Sequence, residues 1–326
     1  MCTGIRLIAQ NGAVIHARTL EFAKNIESKI VILPRNYQLQ GTGPAGKADG
    51  LSWKSKYAAM GANACGLPVI IDGVNEAGLA GGLFYFPEYA QYQDANQEQI
   101  KQTIAPWELL TWILTNFATI DEVKNNLPQI KVTNTIFGPW EIVPPVHATI
   151  HDMSGKSLVI EYLKGNLVMT DNPIGVFTNA PSFDWHLTNL RNYINITAQN
   201  VSKIELSKTK LTPLGQGSGM LGLPGDFTSP SRFIRAVAFS QSVVNLDDEQ
   251  KTLDAAFHIL NLFDIPYGVV REKINNDIHY EYTQWTSAAD LKNKKYYIHT
   301  YDDRNIKEFD LSQNDLNSQK PIFFDK

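Results

Sequence analysis

Met1-Cys2-Thr3-Gly4-Ile5-Arg6 opens the chain, and its second residue decides both the fold and the chemistry open to the protein. A small residue behind the initiator Met permits an aminopeptidase to remove Met1. Cys2 would then carry a thiol and a free α-amine, a nucleophile and a base in one residue. The plainer alternative makes Cys2 a small residue opening a strand. Working outward, Ile5–Ala9 leads into Gln10-Asn11-Gly12-Ala13 and then Val14–Arg18. An Asn-Gly pair between two short apolar runs predicts a β-hairpin. About eight residues on each side of that turn bring Arg18 to the same end of the ribbon as Cys2. With Glu21 close by, a thiol, a cation and a carboxylate converge.

Further along, Lys29–Leu33, Pro68–Asp72 and Gly78–Phe84 read as strands. Ala105–Leu114, with Pro106 near its first turn, reads as a buried helix. A shorter helix starts at Ile120. Strand patterns return at His147–His151, Ser157–Leu163 and Gly175–Asn179. Ser231–Val244 and Asp248–Phe263 read as amphipathic helices, the second with Asp247 or Asp248 as N-cap. The end is strand-like at Tyr280–Trp285, Lys295–Thr300 and Ile306–Leu311. Strands and helices come in blocks rather than in single alternation. That order predicts an α+β fold, a four-layer αββα sandwich of two antiparallel sheets. No linker divides residues 1–326, so a single domain is expected.

Composition removes several function classes. The net charge of −4 is spread through both signs without a Lys/Arg block, so nothing marks a nucleic-acid surface. No apolar run approaches the roughly 18 residues a membrane span needs, and no leader-like segment precedes Cys2. As written, the chain reads as cytoplasmic. Had an export signal been removed and Met1 added, a periplasmic or secreted location would replace that reading without changing the chemistry. Cys65, the second of two cysteines, reads as a small buried hydrophobe.

Several motifs mislead. Gly41-Thr42-Gly43-Pro44-Ala45-Gly46-Lys47-Ala48 nearly spells a phosphate-binding loop, but Ala48 stands where Ser or Thr must hold Mg²⁺. Gly217-Ser218-Gly219 lacks the outer frame of a nucleophile elbow. His147 and His151 have a chelating interval only on a helix; on a strand they stand about 13 Å apart. No metal and no cofactor is expected.

The motifs resemble the choloylglycine hydrolase family, which contains bile salt hydrolases and penicillin V acylases. The resemblance rests on Met1–Arg6, Arg18–Phe22, Asn75–Leu79, Phe86-Pro87, Ala105–Leu110, Thr178–His186, Gly222–Asp226 with Ser231-Arg232-Phe233, and Tyr296–Asp302. It implies an N-terminal nucleophile hydrolase fold and a linear-amide C–N hydrolase, most similar to a penicillin V acylase. Conjugated bile acids and N-acyl homoserine lactones are the alternative substrates. By motif, Cys2 matches the nucleophile, Arg18 its neighbouring cation, Asn179 the oxyanion Asn and Arg232 a second active-site Arg. Glu21 falls where most members carry Asp. Tyr85 stands where typical bile salt hydrolases carry Asn and some penicillin V acylases carry Tyr. The family also implies a homotetramer.

The mechanism expected is proton transfer from the thiol to the α-amine, whose ordinary pKa of about 7.7–8.0 suits a base at neutral pH. Asn179 and the Tyr85 N–H would hold the oxyanion, each donor contributing roughly 2.7–4 kcal/mol. The acyl group should be bulky and apolar, with Phe22, Phe84, Tyr85, Phe86 and Trp residues as candidate walls. A non-enzymatic reading, a lipid- or bile-acid-binding module idled by Glu21, stands beside it.

Overall fold

The computed structural model describes residues 1–274 and 276–326. The hairpin forms as expected. Cys2–Ile8 pairs antiparallel with Val14–Glu21, setting Cys2 opposite Leu20 and Gly4 opposite Arg18. Gly12 turns the chain at φ 82°, a conformation that glycine adopts without a Cβ clash. Side chains alternate along a strand, so Cys2, Gly4, Arg18 and Leu20 share one face. Gly4 offers no side chain there, and the space is filled by the Phe84 ring; a Cβ at Gly4 would lie 2.6 Å from it.

Two large antiparallel sheets form the centre. In spatial order the first contains Val176–Phe177, Cys2–Ile8, Val14–Glu21, Thr283–Asp290, Lys295–Thr300 and Lys307–Asp310. The second contains Asn166–Asp171, Ser157–Leu163, Val146–His151, Ala80–Tyr85, Asp72–Asn75, Ala59–Ala62, Ile30–Leu33 and Ile322–Phe324. The helices Ser229–Ser242 and Glu249–Asn261 cover the outer face of the first sheet. Asp248 caps the latter through the Lys251 N–H. Leu109–Asn116 packs on the second sheet. The expected α+β sandwich of helix, sheet, sheet and helix is therefore the fold. Val14–Glu21 is buried along its whole length, because one face meets a helix and the other meets the opposing sheet.

Some expected elements shift. The strand expected at Pro68–Asp72 begins only at Asp72. Tyr280–Trp285 divides at Tyr282 between an outer ribbon strand, Asp277–Glu281, and the central strand Thr283–Asp290. Gly175–Asn179 shortens to Val176–Phe177. The helix Phe183–Leu190 and the strands Ala59–Ala62 and Asn166–Asp171 are further elements, not among those expected from the sequence. Cys65 is half-buried in a turn at φ 52° rather than in the core.

Candidate active site

The hairpin places the Cys2 Sγ 2.7 Å from an Arg18 terminal nitrogen. Arg18 is fully buried. Its other groups are anchored on the Leu83 carbonyl at 2.5 Å and the Thr19 carbonyl at 3.1 Å. The Phe84 ring lies 4.1 Å from its guanidinium carbon. The guanidinium is thus fixed by backbone oxygens and an aromatic face, which leaves one N–H pair for the sulfur.

Asn179 approaches from the loop after Val176–Phe177. Its side-chain oxygen accepts the Cys2 N–H at 2.8 Å and the Arg232 guanidinium at 2.7 Å. Its side-chain nitrogen donates to the Tyr85 carbonyl at 2.6 Å. One of its two amide hydrogens is so engaged. Arg232, on the helix Ser229–Ser242, also donates to the Cys2 carbonyl, to Thr3 Oγ1 at 2.9 Å and to the Phe227 carbonyl at 2.8 Å. Burial lowers the Arg232 pKa from its ordinary value, and the charges of Glu21 and Cys2 oppose that. The Gly222–Asp226 loop turns into this helix through Asp226, which accepts from Thr228 N–H and Ser231 Oγ.

Leu83 and Tyr85 present their carbonyls to the same side of the strand, one to Arg18 and the other to Asn179. In an antiparallel strand the Tyr85 N–H points to that side as well. Glu21 is buried, accepts Thr283 Oγ1 at 3.0 Å through one oxygen, and leaves the other without a partner. Its carboxyl is raised above the ordinary range by burial, opposed by the N-terminal ammonium and Arg232. Met1 continues the first strand, its carbonyl accepting the Glu21 N–H at 2.8 Å.

Beside Cys2 lies a cavity of about 90 Å³. Its walls are apolar and include a chain of rings: Tyr85, Phe22, Trp140, Phe137 and Trp107. Phe22 stacks on Trp140 at 5.3 Å and meets Tyr85 edge-on at 5.5 Å. Phe84 and Phe86 do not line it, which corrects the expectation that they would. Strand alternation turns Phe84 toward Arg18 and Phe177, and Phe86 stacks on His147 at 3.9 Å.

Several supporting residues carry no role in the sequence reading. His186 Nε2 bonds the Asn179 carbonyl at 3.0 Å and its ring stacks on Phe233. Ser229 Oγ accepts the Asn179 N–H at 2.9 Å. His186 lies inside the Thr178–His186 motif; Ser229 gives no signal. Glu108 explains the misleading Gly-rich loop: its carboxylate accepts the Thr42 and Ala105 N–H groups, so it pins a turn rather than a phosphate cradle. Among the described residues no cluster of three or more His, Cys, Asp or Glu could hold a metal ion.

Residues 2–324 match the sequence profile of the linear amide C–N hydrolases, choloylglycine hydrolase family. The chain belongs to the choloylglycine hydrolase family. It is accordingly a hydrolase acting on linear amides, and the non-enzymatic reading falls away. A bile salt hydrolase/transferase of Clostridium perfringens is 33% identical over 98% of this chain and 95% of its own length. A penicillin V acylase of Pectobacterium atrosepticum is 28% identical over 92% of this chain and 77% of its own. A crystal structure of a variant of the conjugated bile acid hydrolase from Clostridium perfringens superposes with a TM-score of 0.86 at 31% identity, covering 100% of this chain and 97% of that one. Among the described residues no helix is long and apolar enough to cross a membrane.

Proposed function

We propose that Cys2, freed by loss of Met1, is the nucleophile of an amidase whose substrates carry a compact, ring-bearing acyl group of the aryloxyacetyl type. The reading rests on one observation: the sulfur faces the Arg18 guanidinium at 2.7 Å at the edge of an aromatic-walled cavity. A cation there stabilises a sulfur anion.

That arrangement sets the order of steps. The α-amine of Cys2 takes the thiol proton, with its hydrogen bond to the Asn179 oxygen orienting it. The thiolate attacks the amide carbonyl. The oxyanion is held by the second Asn179 amide hydrogen and the Tyr85 N–H. The α-ammonium returns its proton to the leaving nitrogen, the C–N bond breaks and a thioester remains. Water attacks the thioester, its proton passes through the α-amine to the sulfur, and a carboxylic acid leaves. Arg232 and Glu21 position the Cys2 main chain and the new ammonium.

Tyr85 meets Phe22 edge-on and Phe22 stacks on Trp140, so the walls beside Cys2 present ring faces and edges to a planar acyl group. That favours penicillin V-type acyl groups. The activities of the bile salt hydrolase relatives favour a second reading, conjugated bile acids. Turnover of penicillin V, a conjugated bile acid and an N-acyl homoserine lactone, measured side by side, tests the order. Bile-salt turnover without penicillin V turnover overturns it. Unchanged activity in Cys2→Ala, or Met1 retained in the intact mass of active protein, defeats the nucleophile assignment.

We also propose a homo-oligomer, a tetramer by family resemblance. The ribbon Ile204–Leu206 with Thr209–Leu211 leaves Ile204, Leu206 and Leu211 exposed, in keeping with a covered surface. A monomer in light scattering refutes this.

A further inference from the structure

The outer ribbon, Val270–Ile274 paired with Asp277–Glu281, overhangs the Cys2 end of the first sheet. Its register sets Val270 opposite Glu281, Glu272 opposite His279 and Ile274 opposite Asp277. Cross-strand partners share a face. Glu272, Asp277 and Glu281 therefore share one face with His279, Glu281 at the end that reaches Met1 and Asp277 about 13 Å away along the strand. Arg271 and Lys273 take the opposite face by alternation. The acidic face is the one turned to the site. Glu281 Oε2 lies 3.4 Å from the Met1 nitrogen. The Tyr85 phenol is raised by burial and then by the charges of Glu281 and Glu272.

The Met1 ammonium shows what this place holds. A primary ammonium sits between the Glu21 carbonyl and the Glu281 carboxylate, one residue before the Cys2 nitrogen. Loss of Met1 vacates that seat without removing either acceptor. The free oxygen of Glu21, on a carboxylate that is 1% exposed, is left to the Cys2 α-ammonium, so the seat itself offers the Glu21 carbonyl and the Glu281 carboxylate. The two buried cations nearby are already committed. Arg18 holds the sulfur and two carbonyls, and Arg232 holds Asn179 and the Cys2 carbonyl.

We infer that the vacated seat receives a primary ammonium on the amine half of the substrate, so that the enzyme favours amides of short diamines over amides of anionic amino acids. The inference rests on the proposed role of Cys2, because the leaving nitrogen must approach the Cys2 amine to be protonated. Penicillin V and conjugated bile acids both release anionic amines. They become poorer substrates than cationic amides of the same acyl group.

The test uses the mature full-length protein and two matched series, phenoxyacetyl and cholyl amides of glycine, ethanolamine and 1,3-diaminopropane. Within whichever series is turned over, kcat/KM should rise from glycine to diaminopropane by about tenfold at low salt. The ratio should shrink at about 0.5 M salt and in Glu281→Gln, and hold in Lys273→Gln on the other face. A second readout needs no turnover: 1,3-diaminopropane should raise the melting temperature where 1,3-propanediol does not, and Glu281→Gln should lose that shift. Equal rates across the three amines, or a ratio untouched by Glu281→Gln, overturns the ammonium seat. If neither series is hydrolysed, the acyl preference fails, the Cys2 reading is decided by Cys2→Ala with an N-acyl homoserine lactone, and absence of the diamine-specific shift then overturns the seat independently.

Discussion

The Cys2 nitrogen lies 2.8 Å from the side-chain oxygen of Asn179, a residue 177 positions away. The same oxygen takes Arg232, and the same side chain reaches Tyr85. Asn179 therefore sets the main chain of the proposed nucleophile against the strand that would bind the oxyanion. Asn179→Ala should lower kcat by about 10²–10³-fold, the loss seen when one oxyanion donor is removed. Steady-state kinetics with unchanged circular dichroism would show it. A loss under tenfold would place the oxyanion elsewhere.

Arg18 has no solvent contact, and among the described residues its one side-chain hydrogen-bond partner is the sulfur. Arg18→Leu removes the cation and strands the Leu83 carbonyl. Iodoacetamide alkylation of Cys2 at neutral pH should slow by about tenfold or more, since the thiolate is the reactive form. An unchanged rate would mean that the guanidinium serves packing alone.

Gly4 allows the diagonal reach from Arg18 to Cys2, because the Phe84 ring occupies the place of its side chain. Gly4→Ala should destabilise by about 1–3 kcal/mol through overpacking and should also lower activity by pressing Phe84 onto Arg18. Urea midpoints measure the first effect. Adding Phe84→Leu should recover part of the stability, and strictly additive losses would show that the two residues do not compete for space.

The local parts of this site were legible in the sequence. Asn11-Gly12 fixes a hairpin by its own turn chemistry, and the hairpin alone brings Cys2 and Arg18 together. Asp248 announces its helix for the same reason. What depends on distant pairing was not legible. Glu21 is oriented by Thr283, and nothing near either residue encodes their pairing. Phe84 and Tyr85 read alike as wall residues, because alternation shows that they face opposite sides but not which side holds the cavity. Ser229 supports Asn179 through a bond that only the folded loop creates.

His186 couples the site to acid stability. Burial lowers its pKa to about 4, against about 6.5 for a free imidazole. Between those values the unfolded chain binds a proton that the native state excludes. Stability must then fall as pH drops from about 6.5 toward about 4, by at most about 1.4 kcal/mol per pH unit for this group. His147 and His151, also lowered by burial, act in the same direction. Urea midpoints at about pH 7 and pH 5 should differ, and His186→Gln should reduce the difference. Identical slopes would mean that His186 stays uncharged in both states.

Glu21 gives the sharpest test of the α-amine as base. One of its oxygens is held by Thr283, and the other is buried without a partner while Met1 is present. Burial disfavours its charge, and a nearby ammonium offsets that. Once Met1 is lost, as proposed, the Cys2 α-ammonium is the group that can supply this offset. By the same attraction the carboxylate stabilises the ammonium and raises the pH at which the amine becomes a base. Glu21→Gln should therefore move the acid limb of kcat/KM to lower pH. It should also lower kcat, because a more acidic, weaker base takes the thiol proton less readily. Glu21→Asp keeps the charge, loses a methylene and the Thr283 contact, and should retain most of the activity with the limb nearly in place. If Glu21→Gln leaves the limb where it is, the carboxylate does not face the amine, and the base in this site is some other group.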